Sequence, residues 1–410
     1  MRTRFEPAEV DRYARAIAFD ALRLKPGDRL FVDCEPAHRE LVAALGRVCF
    51  AAGIDVDLNY AEPQLLRARL IEAPDAMIGT DTTWEQRRMR ASVGPDAALL
   101  WIATEGEPGV LGDAPGDRLA RHQQRRAKRY RWRSKAAERL EQKWCIVDFP
   151  TDGSAAQAYP ELDLDAAHRA LFDDLVSFAR CGPDDPDGAW ARHAEDLARL
   201  AEQLDALELR ALRYHGPGTD LAIGLIPGAR WRAGAGESPY GDVVSVNLPT
   251  EEIFTSPDRR FADGTFTCTR PLSIYGRVIE GIRGEFARGC LRRVDCDRDE
   301  DATYLRELFA VRGGDRIGEV ALVDARSRIG AAERIYWSTL LDENAASHFA
   351  FGLGFADAVL PDGAAAARRL VNRSDIHLDV MIGAPDLDVT GTDARGREVP
   401  VIRDGTFCFG

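Results

Sequence analysis

Histidine is scarce in this chain, with seven among 410 residues, and two of the seven keep company that could do chemistry. In the run SDIHLDVMIG, Asp375, His377 and Asp379 alternate with Ile376, Leu378 and Val380. On a β-strand such alternation puts the polar groups on one face and the apolar groups on the other. His377 and Asp379, two residues apart, could then reach a single point the size of a metal ion. His348 closes the stretch LLDENAASH, behind the polar group Asp342, Glu343 and Asn344. Glu319 is a lone charge directly ahead of the apolar run VALV, where it would need a partner. Glu251 and Glu252 stand against Ile253 and Phe254. The remaining histidines, His38, His122, His168, His193 and His215, lie in segments without a carboxylate pattern and read as ordinary core or surface residues.

Carboxylate and imidazole donors without thiolates suit Zn²⁺, Mn²⁺, Co²⁺ or Fe²⁺. With Glu252, Glu319 and Asp379 ionised and His348 and His377 neutral, two divalent ions and one hydroxide balance the charge. That is the composition of a two-metal hydrolytic site with an activated water. A buried hydrogen-bonded network of the same groups fits the residue types equally well. A third chemistry is also open. His348, His377 and Asp379 alone form the two-histidine, one-carboxylate shell of non-haem Fe(II) oxygenases.

The elements that must position these residues change character along the chain. Residues 7–24 repeat apolar side chains at helical spacing, and RLFVDC, IDVDLNY, AALLWIA and KWCIVDF read as strands between helices. Strict alternation in IDVDLNY predicts one covered face. Alternating strands and helices argue for an open, mostly parallel α/β sheet over residues 1–205. From 206 to 410, short strands, glycines and turns dominate, which predicts a β-rich domain carrying all the candidate metal residues.

Composition narrows the partners. The chain carries 67 acidic and 54 basic residues, a net charge of −13 that repels nucleic acid and anionic membranes on average. The stretch 118–143, with eleven Lys or Arg against two Glu, is the local exception. It reads as a solvated helix whose long side chains cover neighbouring surface. No apolar run approaches the ~20 residues of a membrane span. The N-terminal sequence lacks the apolar core of a signal peptide. Eight cysteines, without a Cys-x-x-Cys, favour neither a disulfide scaffold nor a thiolate zinc site. The expectation is a cytoplasmic protein with reduced thiols that binds neither nucleic acid nor membrane.

Several separated blocks also carry a resemblance. NLPTEEIFTSPD, ADGTFTCTRPLSIYG, GEVALVD, LLDENAASHFAFG and IHLDVMIG resemble, in order and spacing, the thermophilic metallo-aminopeptidases of the aminopeptidase T and S type. HGPGTDLAIGL and KPGDRLFVDC extend the likeness over nearly the whole chain. The resemblance implies two catalytic metal ions held by two glutamates, two histidines, an aspartate and a tyrosine. Glu252, Glu319, His348, His377 and Asp379 match five of these, with Glu319 the candidate bridge between the ions. Glu343 is expected as a proton-transfer group or as a structural hydrogen-bonding residue. The tyrosine position holds Phe355, whose ring has no oxygen to donate. A peptide substrate and a homodimer are implied as well, with the first domain serving assembly and access. The ring-cleaving dihydroxypyridine dioxygenases resemble the same fold, which keeps the Fe(II) alternative in view.

Overall fold

Apolar runs bounded by glycine and proline turns set out the first sheet. In a computed structural model, which describes residues 4–274, 277–360 and 362–409, strands Arg29–Cys34, Asp55–Tyr60, Ala97–Ile102 and Lys143–Val147 are parallel neighbours. Leu30, Val32 and Cys34, with Ala98, Leu100 and Ile102 beside them, bury one face against Tyr13, Ile17, Leu41 and Leu45 of the helices. The first helix begins with a proline in its first turn at Pro7–Arg15, then widens into a π-helical stretch, Ala16–Ala21. A fifth strand, Asn247–Leu248, joins from far along the sequence, parallel to Lys143–Val147.

Two compact units result. The first takes residues 1–194, 234–250 and 275–277, and the second 195–233, 251–274 and 278–410. The sequence places the join at 205/206. Packing places it at 194/195, inside helix Ala189–Ala206, and lends the first unit the excursion at 234–250.

Two segments differ from expectation for identifiable reasons. Strand Asp55–Tyr60 lies at the sheet edge, where Leu58 and Tyr60 stay exposed. Its alternation therefore does not mark a covered face, and the buried apolar residue is Ile54 ahead of it. The basic stretch forms helices Gly116–Arg129 and Arg131–Glu138. Several of its arginines grip the segment 73–81 instead of reaching only into solvent. Arg125 donates to the carbonyls of Asp75 and Ile78 at 2.8 and 2.7 Å, Arg129 to that of Gly79 at 2.8 Å, and Arg126 pairs with Asp81 at 2.6 Å. These bonds fix the side chains within the unit, and Asp81 meets the charge of Arg126.

Two buried cations of the first unit are paired. Lys143, 1% exposed, has its amine 3.2 Å from Asp28 and 3.6 Å from Asp242. Arg88 pairs with Asp33 and Asp57 and lies over the Phe31 ring.

The second unit contains an antiparallel eight-stranded sheet and a five-stranded one. The latter runs, in spatial order, His377–Met381, His348–Gly352, Ile317–Val323, Glu252–Thr255 and Arg232–Ala233, with antiparallel neighbours. The pleat sends Ile253, Val320, Leu322, Phe349, Phe351, Leu378 and Val380 into one core. There Phe351 stacks on Phe309 and Phe286, and Phe349 meets Phe266 edge-on. Glu252, Glu319, His348, His377 and Asp379 alternate with these residues and so take the other face. No helix among the described residues is long and apolar enough to cross a membrane.

Candidate metal centre

Four adjacent strands each contribute to one cluster. Register puts Ala321 opposite His348 and Glu319 opposite Ala350, with a slip between Ile317 and Glu319. On the next strand Ala350 faces Asp379, and Gly352 faces His377. Small partners opposite Glu319, Asp379 and His377 leave room for these to converge. His348 Nε2 lies 3.1 Å from Glu252 Oε2 and 4.0 Å from Asp379 Oδ1. His377 Nε2 lies 3.3 Å from both Glu319 Oε2 and Asp379 Oδ1. Two three-residue groups follow, Glu252–Glu319–His348 and Glu319–His377–Asp379, each with its donor atoms within 4.8 Å of one another. Glu319 belongs to both.

The imidazoles are held from behind. His348 Nδ1 is 3.1 Å from the Ala346 carbonyl, and His377 Nδ1 is 2.9 Å from that of Leu353. A carbonyl only accepts, so Nδ1 carries the hydrogen and, in the neutral ring, Nε2 presents its lone pair to the carboxylate side. The first group is fully buried, whereas the His377 and Asp379 side chains are 26% and 13% exposed.

The electrostatics are those of a site short of positive charge. Burial pushes Glu319 up to about 7 despite its contact with His377. Burial, reinforced by Asp379, Glu252 and Glu319, raises Glu343 well above the usual carboxylate range. Burial alone would lower His348, but its bond to Glu252 and the other carboxylates lift it to about 9. His377 rises likewise against the pull of burial, through Asp379 and Glu319, while Asp379 stays low because the histidines outweigh its own burial. Protons thus collect on imidazoles where cations are due, and deprotonated His with carboxylate is the donor set of a divalent ion. The residues fit a metal.

The structure brings together all five expected ligands and also Glu343, which is half-buried beside them. Asp375 lies ahead of the strand, which starts at His377, and is outside both groups. Phe355 caps the short helix Ala356–Val359; its ring centre is 5.0 Å from that of His377 and 5.8 Å from that of Phe254. It packs on a ligand and offers no donor. The sequence reading missed Arg270, which pairs with Asp342 at 2.8 Å; 72 residues separate the two, and no local pattern announces such a contact.

Donor set and sheet together make a candidate metal centre. Comparison with known proteins narrows the class. Residues 7–407 match the family described as Thermophilic metalloprotease (M29). Aminopeptidase T of Thermus thermophilus is 33% identical over 390 residues, 94% of this chain and 95% of that one. Aminopeptidase 2 of Geobacillus stearothermophilus is 30% identical over 98% of both chains. The solved structure of wild-type AmpT from Thermus thermophilus superposes with a TM-score of 0.87, at 31% identity, over 98% of this chain and 100% of that one. A 2,5-dihydroxypyridine dioxygenase from Pseudomonas putida shares the fold at a TM-score of 0.53 and 13% identity, covering 100% and 99% of the two chains. The chain belongs to the thermophilic metalloprotease family, and with it to the metallo-aminopeptidases among the hydrolases.

Proposed function

We propose that the enzyme releases N-terminal residues from peptides at a centre of two divalent ions, Zn²⁺, Co²⁺ or Mn²⁺, that share Glu319. The observation that carries this reading is the pair of three-donor groups with Glu319 common to both. Glu252, Glu319 and His348 would hold one ion, and Glu319, His377 and Asp379 the other. Ions bound there supply Lewis-acid polarisation of the scissile carbonyl and an activated water.

The chain's own residues do the rest. The Ala346 and Leu353 carbonyls fix both imidazoles, so neither ligand has to reorganise during turnover. Glu343, a half-buried carboxyl beside the ligands, is suited to take a proton from the attacking water and pass it to the departing amine. The negative surplus of the cluster attracts the ammonium group of a peptide N-terminus. A lone iron on His348, His377 and Asp379 would leave Glu252 and Glu319 without work, and the likeness to the dioxygenase is one of fold alone. We further propose a cytoplasmic homodimer, with the first unit serving assembly and access. A monomer by sedimentation at micromolar concentration would contradict the dimer.

Chelated protein should regain hydrolysis of amino-acid anilides on addition of Zn²⁺, Co²⁺ or Mn²⁺, with two ions per chain by metal analysis. No activity with any of the three on a broad substrate panel would sink the proposal.

A further inference from the structure

Glu343 ends a helix of five residues, Thr339–Glu343, too short to hold its own place in water. Its position comes from what its neighbours touch. Asp342, 2% exposed, accepts at Oδ1 from Arg270 Nη1 at 2.8 Å and from the Tyr336 N–H at 3.1 Å. The Trp337 N–H serves the same carboxylate, from a residue held at φ +58°. Left-handed backbone is costly for so bulky a side chain and persists only where surroundings impose it. Arg270 also donates to the Arg334 carbonyl at 2.6 Å, which closes the loop 334–338 onto the same pair.

The other end of this arrangement reaches the metal ligands. Thr269, beside Arg270, donates through its N–H to the Met381 carbonyl at 2.8 Å and through Oγ1 to that of Gly383 at 2.6 Å. Met381 ends the strand of His377 and Asp379. On the far side of Glu343, Asn344 Oδ1 takes the Glu251 N–H at 2.7 Å, one residue from Glu252. Glu343 is therefore bracketed by two buried contacts, each leading to a strand that carries a ligand.

We propose that the Arg270–Asp342 pair is a positioning device for Glu343: it holds the proton-transfer carboxyl against the metal centre, and turnover depends on it although neither residue touches ion or substrate. The inference rests on the role proposed above for Glu343. A buried pair with three further hydrogen bonds keeps one geometry, and a displacement near 1 Å of an acid–base group costs on the order of 100-fold in rate.

The test is a double-mutant cycle on the metal-loaded enzyme. Asp342→Asn preserves shape and the acceptor oxygen but removes the charge facing Arg270. It should keep both ions by metal analysis, leave KM within about twofold, and lower kcat about 10- to 100-fold. Asp342→Asn combined with Glu343→Gln should be no slower than Glu343→Gln alone, because a displaced carboxyl and an absent one fail at the same step. Arg270→Lys should recover part of the kcat lost in Arg270→Met. Losses that multiply in the double variant would overturn the inference, as would departure of an ion from Asp342→Asn. If Asp342→Asn does not fold, Arg270→Lys carries the same cycle with the same two outcomes. Unchanged kcat in Glu343→Gln alone would remove the proton-transfer role itself, a failure visible in the single variant.

Discussion

Both units bury carboxylates, and they neutralise them differently. In the first, the buried Asp28 and Asp242 flank the Lys143 amine, and the partly exposed Asp33 and Asp57 grip the buried Arg88. In the second, the groups acting most strongly on Glu319 are His377, Glu252 and Asp379. An ammonium or guanidinium is a permanent cation, so the site it fills stays closed. A histidine carries a proton that a divalent ion can displace, and so yields the place to the ion. The partner of a buried carboxylate therefore separates scaffolding from chemistry, and the Arg270–Asp342 pair shows the first kind set to work beside the second.

That contrast can be broken or sharpened by substitution. The largest effect belongs to Glu319→Gln, which removes the shared ligand; both ions should be lost, with hydrolysis falling on the order of 10³-fold. His377→Ala or Asp379→Ala should cost one ion per chain by metal analysis, and retention of two by either variant would break the ligand assignment. Lys143→Met should do the reverse. It leaves Asp28 buried without its partner and should cost about 3–4 kcal/mol in denaturant unfolding, while metal content and kcat hold.

A pH experiment reads the same difference. In chelated protein His348 titrates at about 9 when folded, above its ordinary value of 6.5. Its contribution is complete below about pH 6.5 and is lost as pH rises through 9. Glu319, raised to about 7, acts with the same sign, because the folded state holds the extra proton below that pH. Chelated protein should thus be less stable at pH 10 than at pH 6, on the order of 3–5 kcal/mol in unfolding free energy. Metal-loaded protein should show a smaller drop, since ions then stand where the protons stood. Equal drops would mean the histidines are not the ion sites.

The smallest effect is expected at Phe355. Phe355→Tyr places a phenol oxygen where the ring meets His377 and should slow metal loss to a chelator on the order of tenfold. Weaker retention would argue that the oxygen points away from the ions.

Legibility in the sequence followed the range of the interactions. His377 and Asp379 are visible as a strand-spaced pair, and Glu319 as a charge ahead of an apolar run, because the pleat alone decides their face. The parallel sheet reads clearly for the same reason. Asp55–Tyr60 misleads, since alternation does not say whether a strand is central or at an edge. The arginines of 118–133 read as solvated because their carbonyl partners lie some 45 to 50 residues away. What fixes Glu343 is equally remote, a pair 72 residues apart and a backbone contact from Glu251, 93 residues from Asn344.

The late strand Asn247–Leu248 has a consequence for the order of events on the ribosome. Until it emerges, Lys143–Val147 is a bare sheet edge, and Lys143 lacks Asp242. About a hundred residues separate the two strands, and at ~5–20 residues per second the nascent first unit waits some 5–20 s for its fifth strand. Through that interval its buried amine has Asp28 alone as partner, and its sheet has an open parallel edge. A holdase-type chaperone would find its clearest target there, in a chain whose N-terminal half is already translated and cannot yet close.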